Sequence, residues 1–362
     1  MEKSQNAKNN QINILIESTK EIIKDSSLEN GGIVAANTTK NNYPINAKNY
    51  FYVWPRDAAF TCIACDELKI NGIQENFFNW CLNRAEGFKK NGLFYEKYYP
   101  NGLKALSGLQ PDQTGSVLFA LWHHYKNSPK EASKFHDLIK IGGNGICNIW
   151  KKDHFTQVTN DLWEERFCFP DLNENFSFSL AACIKGLRCA NELIPNKKWI
   201  NTADEMKNRL DKHFIDYFVR SYGDMQDKRI DASMIGLVYP FEIYDAKDPR
   251  IVSTIKEIEK KLLINGGIHR YEQDEYDGWM YETMHRKKGA GAWPLLNFWM
   301  SIYYSIKGDK KNAEKYYYWV LEKIKDNDCI PEQIFENDMQ VSVSPLLWSH
   351  SMFALATKYL DK

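Results

Sequence analysis

Asp161-Leu162-Trp163-Glu164-Glu165-Arg166 puts three carboxylates, a guanidinium and an indole into six residues, and Phe167-Cys168-Phe169-Pro170 follows directly. Like charges this close repel, and buried charges need partners, so such a cluster is costly in a core. On a solvated helix it would need no explanation. Here Trp163 sits inside the cluster and an apolar run lies behind it. An apolar wall beside a carboxylate raises its pKa and keeps a neutral acid ready near pH 7. The stretch therefore reads as a loop carrying chemistry, and its neighbours must supply a rigid scaffold.

Helical periodicity dominates on both sides of it. Ile12, Ile14, Leu15, Ile22 and Ile23 predict a helix over about 10–25, ended by Asp25-Ser26-Ser27. Further helices are expected at about 57–70, 74–88, 112–126, 131–150, 174–193, 197–220, 229–238, 248–262, 290–307, 309–326 and 342–360. Short hairpin strands are expected near Leu93–Tyr98 and Gly267–Tyr271. Helices in this order pair as hairpins, and the unusual loops fall at every other connection. These are Tyr52–Asp57, Gln110–Gly115, Asp161–Pro170, Asp224–Asp231, Gly266–Gly289 and Pro331–Val341. In a ring of helical hairpins, alternate connections open at the same end, so one rim would collect the loose Trp, Arg, Asp and Glu. Loops on a rigid scaffold are where sites are built.

Composition narrows the function. The chain has 362 residues, 47 basic and 47 acidic, so no basic surplus points to nucleic acid or an anionic membrane. A hydrophobic fraction of 43% supports a large core, and 11 Trp and 20 Tyr can line a cleft as well as fill one. Length alone would allow two domains, but no Pro/Gly/Ser linker divides the chain, and one domain over 1–362 is expected. The opening Met-Glu-Lys-Ser-Gln-Asn-Ala-Lys-Asn-Asn lacks the apolar region of a secretory signal, and no apolar run approaches the roughly 20 residues of a membrane span. A cytoplasmic setting with reduced thiols is expected. Cys62 and Cys65 form a single CxxC with no second pair at zinc spacing, and His123-His124 have no ligand partners at useful spacing, so no metal is expected.

Two more stretches carry chemistry. In Tyr50-Phe51-Tyr52-Val53-Trp54-Pro55-Arg56-Asp57, proline restricts Trp54 and Asp57 is suited to cap the next helix. Capping does not explain Arg56 beside it. An Arg–Asp pair suits vicinal hydroxyls, one side chain donating two bonds and the other accepting two. In Pro331-Glu332-Gln333, Glu332 could cap a following helix or serve as a second carboxylate at the rim. Two carboxylates on separate loops suggest glycoside hydrolysis, one protonating the leaving oxygen while the other activates water or attacks the sugar. Aromatic faces suit the faces of sugar rings.

Trp54-Pro55-Arg56-Asp57-Ala58, Asp161-Leu162-Trp163-Glu164-Glu165-Arg166, Gly291-Ala292-Trp293-Pro294-Leu295-Leu296 and Pro331-Glu332-Gln333 stand in the order seen in glycoside hydrolase family 15, which the chain resembles from about residue 30 to 357. Asp231-Ala232-Ser233 and Gly267-to-Tyr271 are similar to its prokaryotic members. The resemblance implies an all-α (α/α)6 barrel that releases glucose with inversion from the non-reducing ends of soluble α-gluco-oligosaccharides, with no cofactor. It implies that Glu164 is the general acid and Glu332 the general base. Arg56, Asp57 and Trp54 would bind the terminal glucose, with Trp163, Arg270 and Trp293 around it. Asp161 and Glu165 would hydrogen-bond substrate and raise the pKa of Glu164. An inverting pair should stand about 6.5–9.5 Å apart. The β-sandwich and starch-binding modules of many members are absent from this sequence, which argues against granular starch. The 167–175 stretch replaces a short Gly-rich passage, and the 272–288 stretch is long and polar. α-1,6 glucans, α,α-trehalose and a non-catalytic glycan-binding barrel remain alternatives.

Overall fold

The structure, a computed structural model, describes residues 2–40, 43–278, 289–324, 328–337 and 340–361, with side chains from residue 8. Most of the polar 272–288 stretch, residues 279–288, lies outside the described residues.

Five α-helices and one short 3-10 helix form an inner ring: Pro55–Leu68, Pro111–Tyr125, Ser177–Leu193, the 3-10 helix Ala232–Leu237, Pro294–Lys307 and Leu347–Leu360. Each packs on the next, and the last closes on the first. Between them in sequence run the outer helices Glu2–Ser26, Ile73–Asn83, His136–Ile149, Lys197–Asp211, Pro249–Leu262 and Lys310–Lys323. This is the expected (α/α)6 barrel. Every outer-to-inner connection is long and opens at the end where the inner helices begin.

Burial explains the division. The inner helices are buried almost all round: Pro55 to Cys65, Pro294 to Tyr304 and Leu347 to Ala356 run without an exposed residue. Outer helices bury one stripe, as Ile251, Thr254, Ile255, Ile258 and Leu262 do. Inner helices can then approach closely; a Cβ at Gly115 would overlap the carbonyl oxygen of Ala182 on the neighbouring helix.

Proline sets where the inner helices start. Pro55, Pro111 and Pro294 each occupy the first turn, and the preceding Trp54, Gln110 and Trp293 are extended. Trp54 and Trp293 thereby line a cleft at the rim, while Gln110 is buried against the backbone of Asp161. This corrects the expected cap: Trp54 is the N-cap residue and Asp57 lies inside the first turn with its side chain buried. Glu332 caps nothing either, because the next helix begins only at Leu347, after Pro345.

Other differences from expectation have local causes. The helix expected to reach 220 stops at Asp211, because Ser221-Tyr222 pairs with Asn175-Phe176 in a small sheet. The helix expected at 229–238 is the 3-10 segment, started by an Asp231 side chain that accepts from Ser233 N at 2.8 Å and ended before Pro240. The strand near Leu93–Tyr98 is Tyr95–Tyr98, paired with Lys104–Leu109. His123 and His124 both bond Asp66 through Nδ1, at 2.9 and 2.6 Å, on the far half of their helix.

Candidate active site

Asp161–Arg166 is the loop of a hairpin whose strands are Thr159–Asn160 and Phe167–Cys168. Asp161 Oδ1 accepts from the backbone N–H groups of Glu165 and Arg166 at 2.9 and 3.2 Å, and its other oxygen is paired with Arg220. Glu164, at the top of the loop, has φ +64°, a left-handed backbone that costs a non-glycine residue about 1–3 kcal/mol. The loop bonds hold it there, and the side chain enters the pocket. Glu164 Oε1 accepts from Trp54 Nε1, and Oε2 lies 3.8 Å from Lys97 Nζ. Burial first, then the nearby Glu96 carboxyl, push the Glu164 carboxyl well above its ordinary range. A carboxyl kept protonated near neutrality is suited to donate a proton.

Glu332 sits on an irregular segment pinned by Glu332 N to Val343 O at 2.8 Å and by a bridge between Ile334 and Ala292. Tyr50 donates to Glu332 Oε1 at 2.7 Å, and its ring lies 5.1 Å from that of Trp54. The two carboxylates are thus held by adjacent rings of one loop, Trp54 on Glu164 and Tyr50 on Glu332. Glu332 Oε2 is buried and, among the described residues, has no hydrogen-bond partner beyond the nearby Tyr276 hydroxyl. Burial pushes the Glu332 carboxyl up to about 7, opposed by the bond from Tyr50 and by the charges of Arg270 and Lys48. A base must be ionised to act, so activity should fall as pH drops through that value. Tyr50→Phe removes a bond that favours the charged form. It is expected to move the acid limb of kcat/KM up by roughly one to two pH units, checked by the pH profile of the variant.

Between the carboxylates lies a pocket of about 320 Å³, near the lower bound of small-molecule sites at about 300–1,000 Å³. Arg56, Asp57 and Trp348, from the first turns of two neighbouring inner helices, are buried at its base. Arg56 Nη1 bonds Asp112 at 3.0 Å, its Nε lies 3.4 Å from Asp57 Oδ1, and the guanidinium lies over Trp348. Burial, resisted by Arg56, raises the Asp57 carboxyl to about 6. The indole Nε1 atoms of Trp293 and Trp348 are buried and have no partner among the described residues. Buried polar atoms are normally satisfied, so these mark where a polyhydroxylated ligand can bond.

One wall is built around Arg270. It bonds Glu165 at 2.7 Å and Asp274 through two nitrogens at 2.7 and 2.8 Å, and lies over the rings of Trp163, Tyr276 and Trp293. Trp163 Nε1 donates to both oxygens of buried Asp231, at 3.2 and 3.0 Å.

Trp54, Arg56, Asp57, Trp163, Glu164, Glu165, Arg270, Trp293 and Glu332 all line this pocket, as the sequence leads one to expect. Asp161 does not. Its expected bond to substrate is replaced by the Arg220 pair and the two backbone N–H groups beneath the loop. The neighbour that acts on Glu164 is likewise Glu96, with no contribution from Asp161 or Glu165 among the principal causes. Tyr50, part of the quoted Tyr50–Asp57 stretch, has no role in the sequence reading, and Lys48, Glu96, Lys97 and Tyr276 are not singled out there; all five reach the pocket. Glu96-Lys97 carried one usable signal: a charged pair inside the aromatic run Tyr95 to Tyr99.

A helical-hairpin barrel thus carries two carboxylates facing one pocket at its rim, an arrangement suited to glycoside hydrolysis. Residues 13–357 match Glycosyl hydrolases family 15, and the chain belongs to that family. An uncharacterized glycosyl hydrolase of Methanocaldococcus jannaschii is 31% identical over 360 residues, covering 92% of this chain and 53% of that protein. A trehalase of Thermoplasma acidophilum is 26% identical over 300 residues, covering 74% of this chain and 48% of the relative. The chain thus spans about half the length of these curated relatives. A bacterial glucoamylase complexed with acarbose superposes with a TM-score of 0.73 at 19% identity, over 96% of this chain and 55% of the other.

Proposed function

We propose that the protein hydrolyses the terminal α-glucosidic bond of soluble gluco-oligosaccharides with inversion, releasing β-D-glucose. The observation that carries this reading is the pair Glu164 and Glu332, which enter one small pocket from separate loops over a base of Arg56, Asp57 and Trp348. A pocket buried at its base admits a chain end and excludes the middle of a chain. Glu164, protonated, donates to the glycosidic oxygen. Glu332, ionised, takes a proton from water as its oxygen bonds to the anomeric carbon. One water is consumed, and the displaced sugar leaves as a neutral alcohol. Trp54 and Tyr50 hold the two carboxylates while the charge moves.

The leading substrate is an α-1,4 oligosaccharide. The second reading is α,α-trehalose, favoured by the Thermoplasma relative. The test is glucose release from maltose, maltotriose, isomaltose and trehalose, with the first-formed anomer read by proton NMR. β-Glucose from one of them is expected and identifies the linkage. Trehalose cleaved with inversion gives one β- and one α-glucose, so α-glucose alone as the first-formed glucose from maltotriose or trehalose would mean retention and overturn the roles of Glu164 and Glu332. No release from a folded sample would favour a glycan-binding barrel.

A further inference from the structure

Glu96 is a further carboxylate in the pocket, carried there by the strand Tyr95–Tyr98. It is buried, and it shares the Lys97 ammonium with Glu164. Its Oε2 accepts from Asn160 Nδ2 at 3.1 Å, and its Oε1 lies 3.5 Å from Lys97 Nζ, the same nitrogen that lies 3.8 Å from Glu164 Oε2. Gly108 makes room for this arrangement. A Cβ there would overlap the Asn160 carboxamide and stand 3.0 Å from Glu96 Oε2.

We infer that Glu96 and Glu164 act as one carboxyl pair holding a single proton, with Lys97 balancing the one negative charge, and that Glu96 is the positioning residue that keeps the acid armed. The inference rests on Glu164 being the general acid. A second carboxylate beside the same ammonium disfavours ionisation of Glu164. When Glu164 passes its proton to the glycosidic oxygen, the pair is left with two negative charges. That state favours prompt recovery of a proton from solvent, while Glu332 returns to solvent the proton it took from water. Burial and Glu96 both raise the Glu164 carboxyl, and the positive charges of Lys97 and Arg56 oppose them. Lys48 and Tyr276 also face Glu164, from the first and fifth rim loops.

The test is the basic limb of the kcat/KM pH profile, measured on whichever of maltose, isomaltose or trehalose the wild type cleaves fastest. Glu96→Gln removes the like charge and is expected to move that limb to lower pH by about one unit or more. Lys97→Met removes the opposing charge and is expected to move it to higher pH. A merely structural role for either side chain would lower rates without moving the limb in opposite directions. Either variant alone carries the sign test, so failure of one to fold leaves the other to decide. A limb unmoved in the variants that fold, or moved the opposite way, overturns the inference. Glu164→Gln is assayed alongside on α-glucosyl fluoride. If it loses that substrate and the disaccharide equally, the acid assignment itself fails and the pair falls with it. If Glu164 behaves as the acid and the limb stays put, only the role of Glu96 is lost.

Discussion

Glu332→Gln is expected to cut turnover by about 10²–10⁴-fold, on any disaccharide that the wild type cleaves, with the fold kept. Glutamine has the shape of glutamate and can still accept from Tyr50, so the packing around position 332 is preserved. It cannot take a proton from water. The midpoint is about 10³-fold, or roughly 4 kcal/mol of barrier. Because Arg56, Asp57 and the indoles are untouched, KM should change far less than kcat. The checks are steady-state kinetics beside a thermal melt. Near-normal turnover by a folded Glu332→Gln protein would remove Glu332 as the base and leave the water without an activating group.

Glu164→Gln should produce a loss of similar size, but only where the leaving group needs a proton. A sugar hydroxyl leaves as an alkoxide unless it is protonated, so loss of the acid should cost about 10²–10⁴-fold on a disaccharide. Fluoride leaves as a stable anion, and α-glucosyl fluoride should lose less than about tenfold, since general acid catalysis contributes little there. The ratio of the two losses is the diagnostic quantity. It also guards against a trivial cause, because the Glu164 backbone is in the left-handed region and a misfolded loop would damage both reactions alike. Trp54 Nε1 can still donate to the amide oxygen of the variant, which favours an intact loop.

Much of this was legible in the chain because it depends on local order. Trp54-Pro55 and Trp293-Pro294 mark an extended residue before a helix, whatever surrounds them, since the constraint lies in the proline ring. The alternation of long and short connections lies in the spacing of the helices, and from it follow a ring and a single loop-rich rim. The cluster from Asp161 to Arg166 announced a site because such charge density beside indole and phenyl rings is costly to bury without a purpose.

Partnership between distant residues was not legible, and Asp161 shows why. In sequence it is one more acid next to Glu164. In space its carboxylate is taken by Arg220, which is 59 positions away. Glu96 is the converse case: an ordinary strand glutamate by sequence, it meets Glu164 only when the second and third rim loops fold together. Asp57 could be read as a cap or as half of a sugar-binding Arg–Asp pair; Pro55 moved the helix start two residues upstream and carried Asp57 into the pocket. Sequence by itself determined the barrel, the rim and the two carboxylates, Glu164 and Glu332, for which the acid and base roles are proposed, since turn chemistry, helix periodicity and motif order are local properties. Only the tertiary structure decided which neighbours set their protonation. Electrostatic coupling depends on separation and burial in space, and both arise when loops far apart in the chain converge on one pocket.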